Sequence, residues 1–380
     1  MTSGEAPSEA VANDHAARAL AARLASSPVI ALDTEGDGMF RYRARLCTIQ
    51  LASERELSVV DTLHVDPTLF AALFSEQGPE KIVHDAAFDA RLLAACGAPL
   101  GNVFDTAIAA RYLGFAATGL ASLLSQLFEV QLPKHMQQAD WGARPLSSEA
   151  IAYLENDVRY LLALRELLLE RVRAADIEPE LREECAYVLA EARRSEPEPS
   201  PFSRVRGASA RPPKERARLF ELAWVRDGIA RELDLPAARV VPNDLLLRFG
   251  ELASPGTGAI ERRLPTRFRA YAPRFAAALA QAEGRDDAPQ DELFEAQVAP
   301  SGGELARRKR RRELLIGFRT REASQRGVDP QAVLPGHCVN ELIKLEQLSR
   351  ELLAQVPGLG SARIERYAEQ WERELGPRWT

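Results

Sequence analysis

The stretch VIALDTEGDG, residues 29–38, runs an apolar segment straight into Asp33-Thr34-Glu35. Side chains two apart on a strand point the same way, so Asp33 and Glu35 share one face at the strand's carboxyl end. A carboxylate ending a core strand is costly unless something pairs with it. Two on one side repel unless protonated or held by a cation, and an all-oxygen set suits a hard divalent metal. The pair alone is too small for a two-metal centre, so the sequence is expected to supply further acids.

Two later segments supply them. IVHDAAFDARLL (82–93) places Asp85 and Asp89 after a short strand, with Asp89 among Phe88, Leu92 and Leu93. IAYLENDVRYLLAL (151–164) carries Tyr153 and Asp157, four apart and therefore stacked on one helical face. Leu154, Val158 and Leu161 flank Asp157, so its carboxylate must meet water, a partner or a metal. Singly, a D-x-E pair reads equally as a surface feature, Asp89 as a helix cap and Tyr153–Asp157 as an ordinary helical pair. The ordered set is far more specific.

Around these acids the pattern alternates. PVIALDT (28–34), RLCTIQLA (45–52) and ELSVVDTL (56–63) read as three consecutive strands in an antiparallel meander. A helix near 67–76, a strand at 81–85, a helix near 87–96, a short strand near 102–105 and helices to about 173 follow, the span from Ser148 to Arg173 permitting one long helix. Strands followed by βα units predict a mixed sheet covered by helices. SEPEPSPFSRVRGASARPP (195–213) reads as a linker, and EGRDDAPQDELFEAQVAPSGG (283–303) as a second break. The helical blocks on either side of that break share an element: ARELDLPAARVVPND in the first, ASQRGVDPQAVLPGH in the second. This reads as a degenerate duplication of a small helical domain.

Bulk properties narrow the class. The 380 residues allow two or three domains. Cys47, Cys96, Cys185 and Cys338 are widely spaced and form no C-x-x-C pair, which disfavours a thiolate zinc site or a disulfide framework and makes a reducing, cytoplasmic setting the default. The first twenty residues lack a signal-peptide pattern, and no apolar run reaches the roughly 18 residues of a membrane helix. No phosphate loop of the G-x-x-x-x-G-K-[ST] type occurs. The net charge of −6 argues against a nucleic-acid partner only as an average. Local basic runs stand at 203–218, at 262–275 with interleaved Phe and Tyr, and at 307–321.

The ordered acids resemble those of the DEDD superfamily of 3′-5′ exonucleases, in its tyrosine-bearing branch, and most of all ribonuclease D. The resemblance extends to DTEGDGMFRYRARLCTIQLA (33–52), FDTAIAARYLG (104–114) and LPKHMQQADWGARPLSSEAIAYLENDVRYL (132–161). More loosely, the two helical blocks resemble the HRDC domains that follow the catalytic domain in ribonuclease D, and VPGLGSARIERYAEQW (356–371) has a helix-hairpin-like signature. The implied architecture is an RNase H-like α/β exonuclease domain over 1–195, a linker at 196–212, a helical domain over 213–285, a linker at 286–303 and a second helical domain over 304–380.

The resemblance further implies hydrolysis of phosphodiesters from a 3′ end with two divalent cations, Mg²⁺ or Mn²⁺. Asp33 would bridge both, Glu35 and Asp157 would complete one position, Asp89 would help hold the other, and Tyr153 would orient the attacking water. His84 is placed either at the site or as a cap on its strand. Lys134 and Arg144 are candidates for phosphate contact, as are Arg307, Arg308, Arg310 and Arg311 in the strongest basic run. Asp105 is expected to fix a helix start, Trp141 to pack in the core and Asp85 to be structural. The expected partner is RNA with a single-stranded 3′ end, such as a tRNA precursor. Two departures, Gly36 after the D-x-E and the segment GDGMFRYR (36–43), leave DNA ends open as the substrate. A non-catalytic nucleic-acid adaptor is the alternative from another class.

Overall fold

The computed structural model describes residues 9–133, 136, 138–194, 198–253, 256–289 and 301–379. They fall into two compact units: 1–36 with 46–194 and 301–380, and 37–45 with 195–300.

The first unit is organised by one five-stranded sheet. Its strands β1 (Val29–Gly36), β2 (Leu46–Ala52), β3 (Leu57–Asp61), β4 (Glu80–Val83) and β5 (Val103–Asp105) stand in the order β3-β2-β1-β4-β5. β1, β2 and β3 form the antiparallel meander expected, whereas β4 and β5 continue the sheet in parallel. β1 therefore pairs on both sides, but not along its whole length. Its ladder to β2 runs from Ala31 to Gly36, whereas its ladder to β4 ends at Ala31 opposite Ile82. Beyond Ala31 the strand has no β4 ladder, and such a gap at the carboxyl ends of strands is where an α/β sheet binds ligands.

Helices cover both faces. Ile30 and Leu32 pack in a cluster that includes Leu20 of α1 (Asp14–Leu24), Phe74 of α2 (Ala71–Phe74) and Leu93 of α3 (Ala87–Ala95). Ala31, on the opposite face, packs with Tyr112 of α4 (Thr106–Tyr112), Leu123 of α5 (Leu120–Phe128) and the next three helices, α6 (Ser148–Arg159), α7 (Leu161–Ala174) and α8 (Glu178–Arg193). The single long helix permitted by 148–173 is instead two. Tyr160, at φ −103° and ψ −3°, separates α6 from α7. The break has a packing reason. Ile151 and Leu154 bury against Cys47 and Val59 on the antiparallel strands, whereas Leu161, Leu164 and Leu168 bury with Ile82 and Phe104 beside the parallel ones. Two helices aim their apolar stripes separately, which one straight helix cannot do.

The second helical block shares this unit's core. Leu334, Cys338, Tyr367 and Trp371 lie in one cluster with Tyr112, Leu181 and Cys185. Arg363 is fully buried and donates to the Tyr112 hydroxyl at 2.9 Å and to the Glu180 carbonyl at 3.3 Å. The hairpin before helix Ser361–Glu374 is seated on α8, where Glu183 accepts from the Ala362 amide at 2.9 Å and the Ser361 hydroxyl at 3.1 Å.

The second unit is all-helical, built on helix Pro213–Glu232. The Pro- and Arg-rich stretch before that helix does not hang free, since Phe202, Val205 and Ala208 are buried with Leu219, Phe249 and Phe275. Residues 37–45 pack in the same unit. Asp37 is fully buried and accepts from the Arg45 amide and guanidinium, and the Tyr42 hydroxyl donates to Asp227 at 2.8 Å.

The duplication expected from the two Val-Pro elements has matching parts in the two blocks. In the first, a long helix gives way to left-handed Asp234, a one-turn helix Ala237–Val240 and a helix starting at Asn243 after Pro242. In the second, helix Gly302–Arg326 gives way to left-handed Gly327, a one-turn helix Pro330–Val333 and a helix starting at Gly336 after Pro335. Each long helix sends one arginine to the carbonyl just before that proline, Arg226 to Val241 and Arg319 to Leu334, in both cases 15 residues on.

Gly358 tests the seating of the hairpin on α8. It sits at φ +74°, and an added Cβ would lie 2.5 Å from His337 Nε2 and 2.7 Å from the Tyr187 ring. Those two rings are stacked at 4.0 Å and have little room to yield. Gly358→Ala should cost roughly 2 kcal/mol or more, read as a lower urea midpoint, whereas an unchanged midpoint would show that the hairpin is not held there.

Candidate metal centre

Backbone alternation decides which acids meet. Asp33 and Glu35 share the face of Ala31, the one covered by α6, and Asp157 projects from α6. One oxygen from each of these three carboxylates lies within 4.8 Å of the others. Asp89 arrives from α3 on the other face. There it meets Thr34, the residue between the two strand acids, whose hydroxyl donates to Asp89 Oδ1 at 2.6 Å. The ends of both helix layers thus converge on the open end of β1.

Electrostatics follow from this crowding. Burial, then Asp89, Asp157 and Glu35, push the Asp33 carboxyl well above its usual range. Burial followed by Asp157 and Asp89 raises Glu35 to about 8. Burial raises Asp89 to about 7 against the opposing Thr34 hydrogen bond, and raises Asp157 to about 7. These acids are harder to ionise together than apart, and a cation among them removes the conflict. The donor set fits a hard divalent metal: oxygen only, several carboxylates, no thiolate or imidazole within the cluster.

Tyr153 stands one turn before Asp157 on α6. Burial and the charges of Asp157, Glu35 and Asp33 raise its phenol further above an already high value, so it keeps its proton. Its ring stacks on Trp141 at 5.8 Å between centroids. Trp141 is buried, in the packing role expected of it. Tyr153 and Asp157 also line a cavity of about 510 Å³ with His84, Asp85, Arg111, Thr118, Ser122 and Pro133.

The other sequence candidates divide. His84 lines that cavity, with Nδ1 2.8 Å from the Thr106 hydroxyl, and burial lowers its pKa so that it is neutral. Asp85, at φ +63°, donates its backbone amide to Asp105 and also lines the cavity. Asp105 fixes the start of α4 by accepting from the Ala107 and Ile108 amides. Lys134 lies outside the described residues. Arg144, expected at a phosphate, commits all five N–H groups inside the protein: to both Asp61 oxygens and to the carbonyls of Trp141, Ala143 and Cys47.

In the strongest basic run, Arg311 is buried and donates to the Trp379 and Ile343 carbonyls, so it presents no free face to a nucleic acid. Nothing in the run itself signals this, because consecutive arginines on a helix hide which of them faces inward. Arg307 and Arg308 pair with Glu304, and Arg310 is exposed. Arg111 was missed by sequence reasoning, although it sits in the matched segment FDTAIAARYLG. Its exposed position, five residues after the start of α4, carries no signal until the cavity is known.

The comparisons agree with this geometry. Residues 8–173 match the family model of the 3′-5′ exonuclease domain, and the mixed sheet with its flanking helices has the RNase H-like fold expected of such a domain. The resemblance to ribonuclease D also stands. The chain is 33% identical over 228 residues to ribonuclease D of Desulfotalea psychrophila, covering 59% of this chain and 61% of that protein. It is 31% identical over 227 residues to ribonuclease D of Haemophilus influenzae, covering 58% of this chain and 57% of that one. The alignments thus span about three fifths of each curated relative. The crystal structure of Escherichia coli RNase D, described as an exoribonuclease involved in structured RNA processing, shares the fold at a TM-score of 0.70 and 23% identity, over 96% of this chain and 97% of that one. Among the described residues no helix is long and apolar enough to cross a membrane.

The raised carboxyl groups set a pH signature. Their folded pKa values exceed the unfolded ones of about 4, so the site costs nothing below about pH 4, progressively more as pH rises from there, and a constant amount once pH passes about 7 to 8. The melting temperature of metal-free protein should carry a contribution that falls across that window. Mn²⁺ at a hundredfold excess over its Kd should restore about 2.7 kcal/mol at pH 8, and much less in acid. Asp33→Asn should raise the metal-free melting temperature at pH 8 and abolish the metal response. A metal shift that survives in Asp33→Asn would remove Asp33 from the site.

Proposed function

We propose that this chain is a metal-dependent 3′-5′ exoribonuclease of the ribonuclease D type, releasing nucleoside 5′-monophosphates from RNA with a single-stranded 3′ end. The observation that carries the reading is the convergence of Asp33, Glu35 and Asp157 with Tyr153 one helical turn away. Its relatives named ribonuclease D support RNA as the substrate class, and a tRNA or other stable-RNA precursor is the natural source of such an end. Four free cysteines support a reducing, cytoplasmic setting.

Two divalent cations, Mg²⁺ or Mn²⁺, would be held by Asp33, Glu35, Asp89 and Asp157, and would supply charge that polarises the phosphoryl oxygens and acidifies water. Asp33, which faces Asp89, Asp157 and Glu35, would be the ligand common to the set. Asp89 enters from the other sheet face, tied to Thr34, and would join it in holding the metal. Tyr153 keeps its proton, so it orients the attacking water by hydrogen bonding instead of removing a proton from it. His84, neutral and on the cavity wall, can hydrogen-bond a nucleotide without adding charge. Arg111 offers the cavity an exposed guanidinium suited to a backbone phosphate. Arg310, also exposed, would guide RNA outside the site.

Digestion of 5′-labelled single-stranded RNA and matched DNA tests the reading. A ladder shortening from the 3′ end, faster on RNA and dependent on metal, is expected, with a loss in Asp33→Asn of at least about a thousandfold, the scale of several kcal/mol of charge stabilisation. Faster shortening of DNA would change the substrate, and no shortening of either from folded, metal-loaded protein would leave a nucleic-acid adaptor. Arg111→Ala should raise KM on RNA about tenfold and reduce the salt slope of binding by about one. An unchanged slope would remove Arg111 from the phosphate path.

A further inference from the structure

Arg144 satisfies its guanidinium entirely within the protein. Nε and one terminal nitrogen grip Asp61 at 2.7 Å each, that second nitrogen also reaches the Cys47 carbonyl at 2.9 Å, and the remaining nitrogen donates to the carbonyls of Trp141 at 2.7 Å and Ala143 at 2.8 Å. Asp61 ends β3 and Cys47 lies on β2, so both anchors belong to the rigid antiparallel sheet. Trp141 lies in a segment without regular structure, and its indole stacks on the Tyr153 ring with 30° between the planes. Asp61 is held in turn. Burial opposes its charge, but hydrogen bonds from Arg144, His64 and the Leu63 amide outweigh burial and keep it ionised.

We propose that Arg144 is a positioning residue that clamps Trp141 to the sheet and, through the indole, fixes the Tyr153 ring at the carboxylate cluster. The proposal rests on the exonuclease reading for its kinetic consequence, but not for the clamp. A planar five-donor fork suits the role and lysine does not, because three donors on a flexible stem cannot span two oxygens of one carboxylate and three carbonyls. The role also accounts for an arginine in the motif region that has no donor left for phosphate.

Two measurements separate the clamp from its alternatives. The first uses protein labelled with 3-fluorotyrosine, the Tyr153 signal being assigned by its loss in Tyr153→Phe. In Arg144→Ala that ¹⁹F resonance should shift and broaden. A resonance unmoved in Arg144→Ala overturns the clamp whether or not the chain is a nuclease. The second is a double-mutant cycle on RNA digestion. Arg144→Ala should lower kcat about tenfold with KM within about twofold, and should cost under about twofold in a Tyr153→Phe background. Trp141→Ala should behave like Arg144→Ala, whereas Trp141→Phe, which keeps a ring to stack, should stay near wild type. Should Arg144→Ala fail to fold, the Trp141 pair carries both measurements. Equal losses in the two backgrounds, or a rise in KM with a smaller salt slope, would mean that Arg144 acts independently of Tyr153 or on the RNA itself.

Discussion

Carboxylate crowding at the open end of β1 is the constraint around which the first unit is arranged. Burial disfavours charge on Asp33, Glu35, Asp89 and Asp157, and Asp89 and Asp157 push the two strand acids up further. Such a cluster opposes folding at neutral pH, and its cost is relieved when a divalent cation takes the place of protons. The sheet meets the constraint by geometry. β1 sits centrally, stays paired to β2 through Gly36, and loses its β4 partner after Ala31, so the acids project where the backbone ladder has a gap.

Two helix layers serve that gap differently. α6 brings Asp157 and Tyr153 over the face of Asp33 and Glu35, and its break from α7 lets it lie on the antiparallel strands while α7 follows the parallel ones. α3 brings Asp89 from beneath, tied to Thr34. The alternation of a strand explains why the residue between two cluster acids can hold an acid from the other face. Tyr153, flanked by charge and stacked on Trp141, is fixed by its surroundings as a protonated hydrogen-bonding group.

The second helical block belongs to this core as much as the sheet does. Arg363 is fully buried between the block and the Tyr112–Glu180 region, and the end of the hairpin gives the Ser361 hydroxyl and the Ala362 amide to Glu183 of α8. A hairpin turn of this kind presents donors that suit an anion. Here a carboxylate of the same chain takes them, which makes the turn a docking element within the fold. The parallel parts of the two helical blocks show one design put to different surroundings.

Much of this was legible in the residues. The alternation in VIALDTEG placed both acids on one face, the four-residue step from Tyr153 to Asp157 placed both on one helix, and the meander followed from three short apolar runs. These are local periodicities, fixed by backbone geometry alone. What the periodicities could not carry was decided by tertiary packing: that α6 and α7 part at Tyr160, that Asp89 reaches the site through Thr34, that Arg144 and Arg311 turn inward while Arg111 faces the cavity. An arginine reads the same in sequence whether its five donors meet phosphate or carbonyls. Only the placement of distant segments, Asp61 and Cys47 for Arg144, Ile343 and Trp379 for Arg311, determines which partners lie within hydrogen-bonding reach.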